Sequence, residues 1–383
     1  LMGNALVQSA TIQNKAQAGG GFGSVPDGGG LENGTLITIN AGSGVDFGTG
    51  PIKTGITGFG LGPLQDQALG TALPLSYSDQ YLSSWNNEFS DPAIREIREV
   101  DGIRTLGGEY GRNDPNNRGG TTGMDLGADV LPGERIMLSS WVRATAAGDI
   151  NNSQWKTYRV THTGNSSDLS NPDAFYTKTF VASSASGSSV LDLYRPLSTE
   201  RYDQQKINHP IYDGKWTRYD VFIEPSGEGL DNGTAFSRGI KQGEIGIDKS
   251  FYGSSGAGIT GNGDLNTYSV GNTKYRWLRD QDFVNNTIVG GGQWVDNLEI
   301  LRTDKYYQKG WARVELVNSA NETEMVLPTI QPYLTWSSSQ ITLKLYKGLN
   351  SDFAGKSLVV YDDNDVIIAV APIDSLVVTA EAA

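Results

Sequence analysis

The stretch Asp213-Gly-Lys-Trp-Thr-Arg-Tyr-Asp-Val-Phe-Ile223 decides how the sequence is read. Trp216, Arg218, Asp220 and Phe222 recur at every second position, which is the period of a β-strand and not of a helix. Working outward, Arg135-Ile-Met-Leu-Ser-Ser-Trp-Val-Arg-Ala144 has the same strand character, and so does 293–301. Further strands are predicted at 103–106, 155–163, 174–181, 189–194 and 275–278. Turn-rich stretches at 113–120 and 253–263 separate them. One helix is predicted, over 92–100, with Asp91 as N-cap and Pro92 in the first turn.

The flanks read differently. Residues 1–62 are dense in Gly, with Gly-Gly-Gly at 19–21 and 28–30, and carry one short strand at 35–40. Such a segment buries too little to fold alone, so it is read as an extended arm, ordered by a neighbouring subunit. Removing it is expected to leave a folded body. The last block, 305–383, is a second β unit with strands at 312–317, 341–346, 357–361 and 366–370. The run Tyr361-Asp-Asp-Asn-Asp-Val366 makes a hairpin turn between the last two.

Composition supports this all-β reading. The 383 residues include 49 Gly, 17 Tyr and eight Trp but are only 19% charged, a mixture that suits turn-rich sheets. A net charge of −13 repels phosphate backbones and anionic bilayers, arguing against nucleic-acid or membrane partners. No apolar run approaches membrane-spanning length. Residues 1–10 lack a basic region and signal-peptide core, which leaves a removed leader undecided. With no cysteine, disulfides, thiolate metal sites and thiol nucleophiles are excluded. Six Asn-x-Ser/Thr sequons, at Asn33, Asn151, Asn165, Asn232, Asn285 and Asn321, are attributed to composition.

Three segments of the middle block, Met137 to Ala144, Asp213 to Ile223 and Gln293-Trp-Val-Asp-Asn-Leu-Glu-Ile300, together resemble the laminin-G/concanavalin-A-like jelly-roll superfamily. The last block resembles IPT/TIG-type immunoglobulin-like modules through Ala312-Arg-Val-Glu-Leu-Val-Asn318, Ile330-Gln-Pro, Trp336-Ser-Ser-Ser-Gln-Ile341 and Ser357-Leu-Val-Val-Tyr-Asp-Asp-Asn-Asp365. These resemblances imply an arm (1–62), a jelly-roll sandwich (63–304) and a C-terminal immunoglobulin-like sandwich (305–383). Similar pairings occur in bacterial and phage surface proteins.

No catalytic constellation stands out. The two histidines, His162 and His209, are read as structural. A polysaccharide lyase of this fold needs a charge neutraliser and a general acid/base. Gln205, Asn208, His209, Arg143, Tyr158 and Tyr219 supply the residue types, but the lyases' usual basic strand and Gln-hydrophobic-His motifs are missing. A glycosidase pair fails on spacing, since Glu96 and Glu99 lie on the predicted helix and Asp296 and Glu299 on a closing strand. Aromatics beside Asn- and Asp-rich turns make Trp155, Tyr158, Tyr176, Tyr194, Tyr202 and Tyr212 candidates for sugar contact. Asp362, Asp363, Asp365 and Asp264 are candidates for a structural Ca²⁺ ion, in patterns that match no EF-hand; no other cofactor is expected.

The expectation is therefore a non-catalytic structural or decoration protein of a phage-like virion or other extracellular assembly. Its partners would be neighbouring subunits, through the arm, and a cell-surface polysaccharide. The alternative is a secreted bacterial carbohydrate-binding protein or a polysaccharide-lyase-like enzyme.

Overall fold

The computed structural model describes residues 9–14, 31, 33–51, 86–87, 96–100, 103–110, 121–131, 133–145, 154–161, 175–181, 189–194, 214–224, 234–251, 275–285, 288–289, 293–294, 298–375 and 377–380. The first strands are β1 (Ser9–Asn14), β2 (Leu36–Asn40), β3 (Asn86–Asn87), β4 (Glu96–Val100), β5 (Ile103–Tyr110) and β6 (Thr121–Val130). Next come β7 (Ile136–Thr145), β8 (Gln154–Thr161), β9 (Phe175–Val181), β10 (Ser189–Tyr194), β11 (Thr217–Glu224) and β12 (Thr234–Lys241). They are followed by β13 (Asp248–Phe251), β14 (Tyr275–Asn285), β15 (Ile288–Val289), β16 (Gln293–Trp294), β17 (Leu298–Lys309) and β18 (Arg313–Val317). The chain closes with β19 (Thr329–Ile330), β20 (Tyr333–Trp336), β21 (Gln340–Lys344), β22 (Ser357–Tyr361), β23 (Ile367–Pro372) and β24 (Val377–Ala380). Among the described residues only two short 3₁₀ turns interrupt this pattern, and no helix is long and apolar enough to cross a membrane.

The body is an all-β jelly-roll sandwich. One sheet runs β13-β12-β11-β7-β17-β5-β4 and the other β10-β9-β8-β14-β6-β3, with the consecutive runs β8-β9-β10 and β11-β12-β13 each staying within one sheet. Two of the segments that carried the jelly-roll resemblance, and the last three residues of the third, meet in the first sheet, where β7 is flanked by β11 and β17. Every residue of β11 from Thr217 to Ile223 is buried, so this strand is covered on both faces, as a strand in the middle of a layered protein must be. Tyr219, Val221 and Ile223 occupy one parity, with Leu138 and Ile136 as cross-strand partners of the last two. The other parity holds Arg218, Asp220 and Phe222, and it meets a second sandwich.

That second sandwich comprises a four-stranded sheet, β19-β18-β22-β23, and a five-stranded sheet, β20-β21-β2-β1-β24. Alternation divides the inner strands cleanly. Val314, Leu316, Leu358 and Val360 enter the core between these two sheets with Ile37, Ile39, Ile341, Leu343 and Phe353. Arg313, Glu315 and Tyr361 fall on the opposite parity, against the body.

Two expectations are corrected here. Within the segment 1–62 the described strands are not a free arm: β2 pairs residue for residue with β21, from Leu36↔Lys344 to Asn40↔Gln340, and β1 bridges β2 and β24. Ile37 and Ile39 are completely buried in the same chain's core, so β2 is part of the second sandwich. The predicted helix over 92–100 is also corrected. Residues Glu96–Val100 form a strand whose register Val100↔Ile103 leaves only Asp101 and Gly102 between partners. Asp-Gly between two strand-forming runs is a strong hairpin signal, and it outweighs the cap-like Asp91-Pro92.

The second sandwich is seated on the body by aromatics and buried charge. Phe222 and Phe236 stack with ring centres 4.3 Å apart, and Trp311 meets both edge-on at 5.8 and 5.3 Å. The Trp311 indole N–H donates to the Ile136 carbonyl at 3.0 Å. Arg135 lies 4.4 Å over the Trp311 ring and pairs with Glu224 at 2.8 Å. Gly310 sits at the corner where β17 gives way to β18, with φ +99 and Pro51 only 3.3 Å from where a Cβ would be. Glycine alone tolerates both the angle and the approach.

Beside these rings lies a cluster of ions whose centre, Arg218, Arg238, Arg313, Asp220 and Glu315, is almost completely buried. Arg218 makes a two-pronged contact with Asp220 at 2.8 Å and reaches Glu315 at 2.9 Å. Arg313 pairs with Glu315 at 2.5 Å and Asp365 at 2.6 Å, with its guanidinium 3.8 Å over the Tyr361 ring. Arg238 approaches Glu315 and Asp365 at 3.5 and 3.3 Å, and Lys249 bonds Glu322 and Asp365 at 2.8 and 2.9 Å. Burial disfavours charge on Arg218, Arg238 and Glu315, but their partners prevail. Arg218 is held above its ordinary range by Asp220 and Glu315 despite desolvation, and Glu315 below its own by Arg218 and Arg238. Breaking such a cluster from one side is costly because it leaves the other charges buried and unmatched.

Candidate functional site

The site is read from the register of the six-stranded sheet. Residues directly opposite on neighbouring strands share a face, and alternate residues along each strand return to it. One parity is predominantly apolar. Its rows run Leu191–Thr179–Trp155–Val284 and Phe175–Val160–Leu278–Met124, and between them lies Leu193–Thr177–Tyr158–Asp280–Thr122.

The other parity mixes basic, acidic and aromatic residues. Its central row crosses all six strands as Tyr194–Tyr176–Arg159–Arg279–Gly123–Asn86. The neighbouring row runs Asp192–Lys178–Lys156–Phe283. Two like-charged pairs, Arg159 with Arg279 and Lys156 with Lys178, therefore stand directly opposite each other on one face. Like charges in that arrangement destabilise a sheet by a few tenths to about 1 kcal/mol per pair. By register these four basic residues fall in two rows of one parity, which also holds Asp192, Asp125, Phe180, Phe283 and Trp277. A register irregularity between Lys156 and Tyr158 separates the two cation rows. Bulges of this kind bend and twist a strand and recur beside functional sites.

The register separates the aromatics expected to touch sugar. Tyr176 and Tyr194 lie in the polar central row, whereas Trp155 and Tyr158 lie in rows of the apolar parity. Tyr202 and Tyr212 lie outside the described residues. Of the residue types weighed for lyase chemistry, Arg143 is on β7 and Tyr219 on β11, both in the other sheet; Tyr219 is buried. Gln205, Asn208, His209 and His162 are outside the described residues.

The candidate calcium ligands have other tasks. Asp365 is committed to Arg313, Arg238 and Lys249. Asp363 accepts from the Trp311 backbone N–H at 2.5 Å and pairs with Arg135. Asp362 Oδ1 accepts from the backbone N–H groups of Asn364 and Val366, closing the hairpin. Asp264 lies outside the described residues. No group of three or more acidic, His or Cys side chains among the described residues is arranged to hold a metal ion.

Sequence reasoning missed Arg159, Arg279, Lys156 and Lys178. Each looks like an ordinary solvated charge on its own strand. A weak signal was present in Gln-Trp-Lys-Thr-Tyr-Arg159 and Phe-Tyr-Thr-Lys178, where apolar and basic residues interleave. Only the pairing of strands distant in sequence assembles the cations.

No protein-family model matches the chain, and no curated protein matches it. Among solved structures the chain is similar to alginate lyase vAL-1 from Chlorella virus at 15% identity, covering 62% of this chain and 96% of that one, with a TM-score of 0.40. Alginate lyase Aly36B aligns at 12% identity over 68% of this chain and 97% of its own, with a TM-score of 0.40. An endo-beta-1,4-glucuronan lyase from the fungus Trichoderma reesei aligns at 12% identity over 59% of this chain and 92% of its own, with a TM-score of 0.38. The expectation of a non-catalytic virion or decoration protein is corrected by these neighbours, which are polysaccharide-cleaving enzymes.

Proposed function

We propose that this chain is a polysaccharide-lyase-like enzyme that binds an acidic polysaccharide across the polar face of its six-stranded sheet. The observation that carries the reading is the central row, in which two tyrosines adjoin an arginine pair: Tyr194, Tyr176, Arg159 and Arg279 in strand order. In an acidic sugar the proton on the carbon bearing the carboxylate is too weakly acidic to leave unaided. An arginine pair that neutralises the carboxylate stabilises the negative charge developing there, and guanidinium suits a planar carboxylate. A tyrosine next to that pair is the residue type that takes the proton, since an adjacent cation favours phenolate. Elimination breaks the C–H bond, forms a C=C bond and breaks the glycosidic C–O bond, and the departing oxygen receives a proton. In this reading Arg159 and Arg279 neutralise the carboxylate, Tyr176 exchanges the proton, and Tyr194 lies one strand further along the ligand's path. Gly123, with no side chain, gives a polymer room to pass on the other side of the arginines.

Two finer assignments belong to the same proposal. The body is read as laminin-G-like, from the strand motifs that meet around β7, and the second sandwich as an IPT/TIG-like immunoglobulin module. Acidic polysaccharides of cell walls and matrices place the activity outside the cell.

The test is incubation with polyuronates while following the ultraviolet absorption of an unsaturated uronate end. Activity that Tyr176→Phe abolishes with polymer binding retained, and that Arg159→Ala loses along with binding, supports the assignment. Full activity in Tyr176→Phe overturns the tyrosine's role.

A further inference from the structure

Asp304 stands where the two sandwiches meet and has no task in the reading above. It lies in β17 at the irregularity between Thr303 and Tyr306, with a left-handed φ of +51. Leu327 (φ +48) and Asp365 (φ +60) are the other non-glycine residues with positive φ among those described, and both also lie at this junction. Such backbone persists only where the surrounding packing over-determines it, and it gathers at switch regions. Trp141, the cross-strand partner of Thr303, belongs to an apolar cluster with Trp216, Ile240 and Leu301 on the body. Leu327 and Leu349 of the second sandwich pack against that cluster. Asn350 bonds the carbonyls of Leu327 and Lys347, so these two turns are tied together.

The two oxygens of the Asp304 carboxyl are placed differently. Oδ1 accepts from the Tyr346 hydroxyl at 2.7 Å, across the junction, and from the Thr303 hydroxyl at 3.1 Å. Oδ2 is buried and has no hydrogen-bond partner. Arg218 of β11 is the charged group whose attraction reaches it, and that guanidinium is already engaged by Asp220 and Glu315. Tyr346 is the titratable group that faces it from the second sandwich. An ionised carboxylate with one oxygen closed off from both water and donors is disfavoured. Burial accordingly raises its pKa from 3.8 to about 6, against the bonds from Tyr346 and Thr303 and the pull of Arg218.

We propose that Asp304 is a proton-operated latch between the sandwiches: protonated, it keeps residues 346–350 and the Leu327 turn docked on β17, and ionised, it lets them open and uncover the apolar cluster around Trp141. The sign follows from linkage. A carboxyl that resists ionisation in the closed form stabilises closure fully below its open-state pKa, and that contribution is lost as pH rises through the closed-state value. With 3.8 for the open form and about 6 for the closed one, opening becomes about tenfold more frequent between about pH 5 and pH 7.5. The stack of Phe222, Phe236 and Trp311 carries no titratable group, so that end of the junction stays seated and the opening is local.

The test is amide hydrogen exchange on the full-length protein across this pH range, with rates corrected for the intrinsic pH dependence of exchange. Protection of residues 302–306 and 346–350 is expected to fall about tenfold from about pH 5 to pH 7.5, while β18 and β22 keep theirs. Asp304→Asn, which stays neutral, should remove that dependence. Tyr346→Phe deletes a bond that favours the ionised form, so it should move the transition to higher pH. Constant protection at 302–306 and 346–350 in the parent overturns the latch, and so does an equal fall throughout both sandwiches, which would mean global unfolding. A full tenfold change surviving in Asp304→Asn also overturns it. If that variant does not fold, Tyr346→Phe decides: a transition left at the parent's pH sinks the proposal.

Discussion

Deleting residues 1–62 is expected to unfold the second sandwich. The deletion removes β2, which lies at the centre of its five-stranded sheet between β21 and β1. It takes out Ile37 and Ile39, each 0% exposed, and Phe47 at 2%. At about 1.5–3 kcal/mol for each fully buried apolar side chain, the lost burial comes to about 5–9 kcal/mol before any hydrogen bonds of β21 are counted. A whole domain has only about 5–15 kcal/mol of net stability. Unfolding would spread, because the face of β18 and β22 that covers Arg218, Phe222 and Phe236 loses its own support from behind. Chemical denaturation followed by tryptophan fluorescence is the assay, since Trp336 packs against this core and Trp311 sits at the junction. The truncated chain should lose its cooperative transition or split it. The single substitution Ile39→Ala should cost about 2–5 kcal/mol on its own. A truncated protein with an unchanged midpoint and unchanged denaturant slope would refute the integration of β2 into the fold.

Glu315→Gln should destabilise by about 3–5 kcal/mol, because it leaves Arg218, Arg238 and Arg313 buried with one fewer counter-charge; an unfolding titration reads this directly. Asp304 has the opposite relation to charge. Burial outweighs its hydrogen bonds from Tyr346 (2.7 Å) and Thr303 (3.1 Å) and its attraction to Arg218, and raises its pKa from an ordinary 3.8 to about 6. A carboxyl whose folded pKa is raised contributes stability that is present below its unfolded pKa and lost as pH rises through the folded one. Asp304 should therefore cost about 3 kcal/mol between roughly pH 4 and pH 6. Asp304→Asn should flatten that part of the stability profile, measured by melting across pH; an unaltered slope would contradict the assignment. Gly310→Ala should lower the melting midpoint by several degrees, since its Cβ would meet Pro51 at a left-handed backbone position.

Much of the strand order was legible because each strand carries its own period. The parity of 216–222, which places Trp216, Arg218, Asp220 and Phe222 together, is the parity that meets the second sandwich, and Ser357–Tyr361 has the bounds expected of it. What escaped depends on partners far away in sequence. Residues 35–40 read as a strand, but nothing local says that Ile37 pairs with Leu343, so a central strand looked like a tether. The helix expected at 92–100 came from weighing one cap over the Asp101-Gly102 sequence that follows. The candidate site was hidden for the same reason as β2. Arg159 and Arg279, or Lys156 and Lys178, become a feature only when β8, β9 and β14 lie side by side. Tyr176 and Tyr194 could be named from the sequence as aromatics near polar turns, but not distinguished from Trp155 and Tyr158, which need the register to be assigned to the opposite parity.

The most direct test of the central claim is the ultraviolet assay for unsaturated uronate ends, run on a panel of acidic polysaccharides with the parent protein and Tyr176→Phe side by side. The account predicts product from at least one polymer with the parent, none with Tyr176→Phe, and polymer binding by both. No product and no binding with any acidic polysaccharide would contradict it.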